Sequence, residues 1–119
     1  MNRFCVIIIS MMEQVFGNKT NERVLLYLAA YEDGYGRRMS NTLGIPLTAV
    51  QRQLRRLEMD NILVSRLVGR TRVYSWNLRN PLVKPLQSLL SETLKFLPDS
   101  EQTPFYSERR RPRRAGKPL

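Results

Sequence analysis

The chain has no histidine and a single cysteine, Cys5. With no imidazole and one thiol, it can build neither an internal disulfide nor a His/Cys site for zinc or haem, and it has no histidine general base. A lone cysteine suits a reducing cytoplasm. Cys5 reads as a small buried hydrophobe, because no second cysteine or neighbouring base marks it as a redox switch. Long apolar runs are missing too. The most apolar stretch, Phe4 to Ile9, follows Arg3 and is far below membrane-spanning length. Glu13 and Gln14 come after it, rather than the small residues of a signal-peptide cleavage site. It is expected to extend a strand or helix over the core, or to precede a start at Met11 or Met12. An enzyme is the least supported class, and no catalytic residue, metal or cofactor is expected.

Acidic residues are also few: Asp+Glu number 10 against 20 Lys+Arg, for a net charge of +10 in 119 residues. An excess of that size repels itself in a compact chain, so it usually serves a polyanionic partner. Most of the cations are arginine, whose planar fork grips phosphates and the guanine edge in two-point fashion, and this favours nucleic acid over membrane. The excess is not confined to the end. Residues 98–119 carry Asp99, Glu101 and Glu108 against Arg109, Arg110, Arg111, Arg113, Arg114 and Lys117, so their net +3 leaves +7 on residues 1–97. The last stretch is poor in aliphatic residues and rich in Pro, Ser, Glu and Arg. It reads as a disordered basic tail on one domain spanning 1–97.

The domain divides by periodicity. Met11 to Phe16 is a short apolar segment stopped by Gly17-Asn18. A helix opening at Thr20 carries Val24, Leu28 and Tyr31 at helical spacing, flanked by Leu25 and Ala29, and ends at Glu32-Asp33-Gly34. A short helix over Gly36 to Leu43 turns Met39 and Leu43 inward and Arg37 and Arg38 outward, with Gly44 as a left-handed cap. After Ile45-Pro46, a helix from Leu47 to Met59 places Val50, Leu54 and Leu57 on its core stripe. Thr48, Gln51, Arg52 and Arg55 lie within an arc of roughly 100° on the other side. Two β-branched runs, Ile62–Val68 and Arg72–Leu78, meet at Gly69-Arg70-Thr71 as a hairpin, with Tyr74, Trp76 and Leu78 on one face. Asn80 and Pro81 suit the start of a last helix whose apolar face is Leu82, Leu86, Leu89, Leu90, Leu94 and Leu97. Pro85 opposes that start and would move it one turn later.

Two short helices joined by a glycine-containing turn, the second with a polar, arginine-bearing outer face, have the build of a DNA-reading pair. The major groove admits one α-helix and requires side chains that reach base edges. Gln51 can bond adenine and Arg52 guanine in two places, and Thr48 can meet a phosphate or a thymine methyl. The hairpin carries Arg66, Arg70 and Arg72, suited to phosphates or the minor groove. The fold expected is mainly α with a small β-hairpin, a winged helix-turn-helix.

The residues Met39–Glu58, then Asn61–Val64, then Gly69–Tyr74 resemble, as an ordered set, the bacterial ArsR-like winged helix-turn-helix regulators over roughly Asn21 to Leu97. The resemblance implies a dimeric transcriptional regulator that binds double-stranded DNA. Its recognition helix would be 47–58, contacting DNA through Leu47, Thr48, Ala49, Gln51 and Arg52, and its wing 66–74, with the tip at Gly69–Arg72. With the arc and hairpin residues, the expected DNA contacts are Leu47, Thr48, Ala49, Gln51, Arg52, Arg55, Arg70, Thr71 and Arg72. Dimerisation through the N-terminal and C-terminal helices is implied as well. The chain departs from the pattern where Pro46 replaces the usual serine N-cap and where metal-sensing members carry their ligands. The run Tyr74–Pro81 is closer to small winged-helix proteins that are not metal sensors.

Each feature also has a plainer reading. Arg52, Arg55 and Arg56 can be a solvated helix face, and Arg70 and Arg72 hairpin solubilisers, since surface ion pairs contribute little. Tyr74 and Trp76 read as core. Two rival functions remain: a nucleic-acid binder without base preference, and a protein-interaction module that would be indifferent to Arg52→Ala and Gln51→Ala.

Overall fold

The computed structural model describes residues 14–97. Phe4–Ile9 and Cys5, the start of the segment opening at Met11, and the basic tail lie outside the described residues. Residues 14–16 are helical and end at Gly17, whose φ of +89° is open to glycine at little cost. Asn18 then caps helix α1 (Lys19–Tyr31), its side-chain oxygen accepting from the Asn21 N–H at 2.7 Å. Val24, Leu25, Leu26, Tyr27, Leu28 and Ala30 are all buried, so α1 is covered on most sides and forms the centre of the domain.

Glu32 adopts a left-handed φ of +72° while its N–H closes on the Leu28 carbonyl. The chain therefore turns sharply into β1 (Asp33–Gly34). Helix α2 (Gly36–Leu43) ends at Gly44, in the expected left-handed conformation, and α3 (Leu47–Met59) follows. Pro46 is the N-cap residue of α3, and its carbonyl accepts from Ala49 and Val50. Strands β2 (Leu63–Val68) and β3 (Thr71–Trp76) form the hairpin. β1 pairs with β3 on the other side, giving an antiparallel sheet ordered β1-β3-β2. Helix α4 (Val83–Phe96) closes the domain against α1. Buried Met39, Val50, Leu54, Leu57, Leu63, Tyr74, Trp76, Val83, Leu90 and Leu94 join the α1 side chains in one core. The architecture is mainly helical with a small three-stranded antiparallel sheet. No helix among the described residues is long and apolar enough to cross a membrane.

The structure departs from the sequence reading in three places. The hairpin's second strand stops at Trp76, where the Asn77 side chain turns the chain, donating to the Asn61 carbonyl and accepting from the Arg79 N–H. Leu78 consequently stands in a turn, exposed, not beside Tyr74 and Trp76. The last helix begins at Val83, not at Pro81. Asn80 instead makes a local turn, accepting from the Leu82 N–H and donating to the Asn61 carbonyl. Pro85 falls in the first turn of α4, where an N–H has no helical partner to lose. Leu82 and Leu89 are exposed, while Leu86 is half-buried against the core. Finally, β1 is a strand that the sequence reading did not contain.

β1 explains why Gly34 has no side chain. A Cβ there would stand 2.8 Å from Cε1 of Tyr27 and 3.1 Å from Cε of Met39, both buried. Gly34→Ala is expected to cost about 1–3 kcal/mol by overpacking. Urea unfolding would show this as a lower midpoint at unchanged slope; an unchanged midpoint would mean that the Tyr27 ring moves aside freely.

Candidate nucleic-acid interface

Helix α3 rests on the core through Val50, Leu54 and Leu57, each nearly or fully buried. Its opposite face is in solvent: Thr48, Gln51, Arg52 and Arg55 are all exposed, in the arc their spacing predicts. Ala49 is half-buried and lies about 160° around the axis from Gln51, off that face. Leu47 is half-buried at the helix start.

The hairpin is joined to α3 by a relay of side chains. The Ser65 hydroxyl on β2 donates to Glu58 Oε2 on α3 at 2.6 Å, and Arg72 Nη1 on β3 donates to Ser65 Oγ at 3.0 Å. Arg72, Tyr74 and Trp76 share the inner face of β3, which fixes the side from which Arg72 projects. Tyr74 sits beside the relay. Burial, and after it the Glu58 carboxylate, push its phenol above the ordinary tyrosine value, with Arg72 and Arg55 opposing. A raised folded-state value means that the neutral phenol favours the fold below the unfolded value near pH 10, and that this contribution is lost as pH rises past it. Tyr74→Phe is expected to flatten the loss of stability above pH 10, measured by urea unfolding at stepped pH. An equally steep alkaline fall in the variant would assign it to other groups.

Between α3, the hairpin tip and the start of α2 runs a groove of about 470 Å³. Leu47, Leu54, Gln51 and Tyr74 line it together with Tyr35, Gly36 and Thr71, and Arg37, Arg55, Arg70 and Arg72 supply its charge. No carboxylate is among these lining residues. Gly36 permits the close approach of α2, since a Cβ there would stand 3.2 Å from the Gln51 side chain and 3.4 Å from that of Leu47.

Of the nine residues expected to contact DNA, the groove gathers Leu47, Gln51, Arg55, Arg70, Thr71 and Arg72. Thr48 and Arg52 stand on the exposed face beside it, and Ala49 points away. Arg66, read as part of the same basic hairpin, lies on the sheet's outer face 3.8 Å from Asp33. Sequence reasoning missed Tyr35 and Arg37 in the groove, and Glu58 and Ser65 as the hairpin's tie to α3. The spacing predicts only that Arg37 faces outward from α2. The adjacent Gly36, which brings α2 against α3, is the one signal that could have placed it.

No family model, curated protein or solved structure matches this chain. Among the described residues, no cluster of three or more His, Cys, Asp or Glu side chains could hold a metal ion.

Proposed function

We propose that the chain is a sequence-specific regulator of transcription that binds double-stranded DNA as a winged helix-turn-helix. Helix α3 would lie in the major groove, and the β2–β3 hairpin would act as the wing on the backbone or minor groove. One observation carries this reading: the exposed arc of Thr48, Gln51, Arg52 and Arg55 continues directly into a groove with four arginines and no acid. Arg52 and Gln51 are of the types that read guanine and adenine edges, whereas the hairpin tip offers charge suited to phosphates. The Glu58–Ser65–Arg72 relay supports the reading further, because it fixes the hairpin relative to α3 and two elements that grip one duplex need a fixed mutual angle. A pre-set angle lowers the ordering cost of binding.

The working unit is proposed to be a homodimer. Leu82, the N-cap residue of α4, and Leu89 and Phe96 within it are exposed at seven-residue spacing, an apolar seam suited to a second copy. The N-terminal helix expected to share this contact lies largely outside the described residues.

Selection from a pool of random duplexes at about 150 mM salt tests the proposal. The expected result is a two-fold symmetric motif with half-sites about one helical turn apart. Binding that shows no enrichment and vanishes steeply as salt rises would replace it with a basic surface lacking base preference.

A further inference from the structure

We infer that the groove between α2, α3 and the hairpin tip is a phosphate-ester site, with Arg37 as a ligand alongside Arg70 and Arg72. For a duplex as the source of that phosphate, the inference rests on the DNA-binding reading above. Two consecutive helices and the hairpin, which lies more than thirty residues beyond Arg37, deliver Arg37, Arg55, Arg70 and Arg72 to one depression of about 470 Å³. Its floor includes fully buried Leu54 and nearly buried Tyr74. Like charges gathered over an apolar floor repel one another less weakly than in open water, so the arrangement favours an anion between them.

Two other cations of the described surface stand beside acids: Arg66 is 3.8 Å from Asp33, and Lys95 is 2.7 Å from Glu92. The groove has no such acid. Glu58, the carboxylate nearest to it in the relay, receives the Ser65 hydroxyl and meets Arg72 only through that oxygen. Arg72 spends one of its five N–H donors on Ser65 and keeps the others for a ligand. A planar guanidinium fork matches two oxygens of a phosphate at once, as it does those of a carboxylate, and the successive phosphates of a nucleic-acid strand offer such pairs to several arginines together. The volume lies in the range of small-molecule sites, so a phosphate can enter with its sugar attached.

The site can be filled by the backbone of a duplex or by a free nucleotide, and two probes separate these sources. Binding of a short duplex of fixed sequence and of a nucleoside monophosphate would be measured on the full chain and on Arg37→Ala, Arg37→Lys and Arg79→Ala. Arg79 lies in the exposed turn after β3 and serves as a charge-matched control. Far-UV circular dichroism would check that each variant is folded. Arg37→Ala is expected to weaken duplex binding about 10-fold and to lower the salt slope by about 1. Arg37→Lys should keep the slope, and Arg79→Ala should change affinity by about 2-fold or less.

A loss confined to the duplex assigns the site to the DNA backbone. A parallel loss for the nucleotide, with displacement of duplex by nucleotide, makes a free nucleotide its ligand as well. Equal effects of Arg37→Ala and Arg79→Ala on both probes would overturn the inference while leaving any selected motif, and hence the DNA-binding reading, intact. A chain that binds neither probe would overturn both.

Discussion

Trp76→Ala is expected to remove about 3–5 kcal/mol of stability, the range for truncating a buried aromatic residue. Trp76 is 7% exposed in the central strand β3, opposite Leu63, which is also buried. Its indole Nε1 donates to the Leu28 carbonyl at 3.2 Å, so one side chain links the sheet to the last turn of α1. Most of the loss should come from packing. The Leu28 carbonyl keeps the Glu32 N–H as a partner after truncation, so it is not left bare. Trp76→Phe separates the two contributions and should cost about 1–2 kcal/mol, because much of the ring remains. Against a typical domain stability of about 5–15 kcal/mol, the alanine variant approaches the unfolding threshold. Urea unfolding followed by circular dichroism measures the loss, since Trp76 is the chain's only tryptophan and cannot report on its own removal. A loss below about 1 kcal/mol would contradict a core that joins α1 to the sheet through this residue.

Arg52→Ala should have the largest effect on recognition with the least on stability. Arg52 is exposed on α3, one residue beyond Gln51 and one turn from Thr48, on the face turned away from the core. A two-point arginine–guanine contact discriminates by about 1–3 kcal/mol, so preference for the selected site should fall roughly 10- to 100-fold. Binding to unrelated duplexes should fall far less, because there only one charge is lost. Tryptophan fluorescence of Trp76 would confirm an unchanged fold, since Arg52 contributes nothing to the core. The informative quantity is the ratio of specific to non-specific affinity at fixed salt. If that ratio survives in both Arg52→Ala and Gln51→Ala, α3 is not the reading element, and the protein-interaction reading takes its place.

The relay through Glu58 and Ser65 links these two levels. It ties the hairpin to α3 through Glu58 and Ser65, which carry no core volume, and through Arg72, which lines the groove. Core packing and the groove's charge therefore rest on different residues of the same two elements. Trp76 and Tyr74 seat β3 on the core, while Arg72 on the same inner face is held at the groove by Ser65.

Features governed by short-range chemistry were legible in the residue order alone. Gly44 had to adopt a left-handed cap, Pro46 could open a helix, Val50, Leu54 and Leu57 had to face inward, and a glycine between β-branched runs had to turn a hairpin. Each is a matter of backbone sterics or periodicity within a few residues. The exposed arc of α3 follows from the same arithmetic. The last helix shows the limit, since Asn80 and Pro81 are good starting residues locally. Asn80 and Asn77 instead bond the Asn61 carbonyl, sixteen residues or more away in sequence, and this contact delays the helix to Val83. β1 is only two residues long and exists because Asp33 and Gly34 lie beside Ser75 and Tyr74, a pairing no local pattern encodes. Arg37 met Arg70 and Arg72 for the same reason. Side chains more than thirty residues apart share a groove only once α2, α3 and the hairpin have packed on one core, so the sequence supplied the charges and the exposed polar face of α3 while tertiary packing alone made the groove.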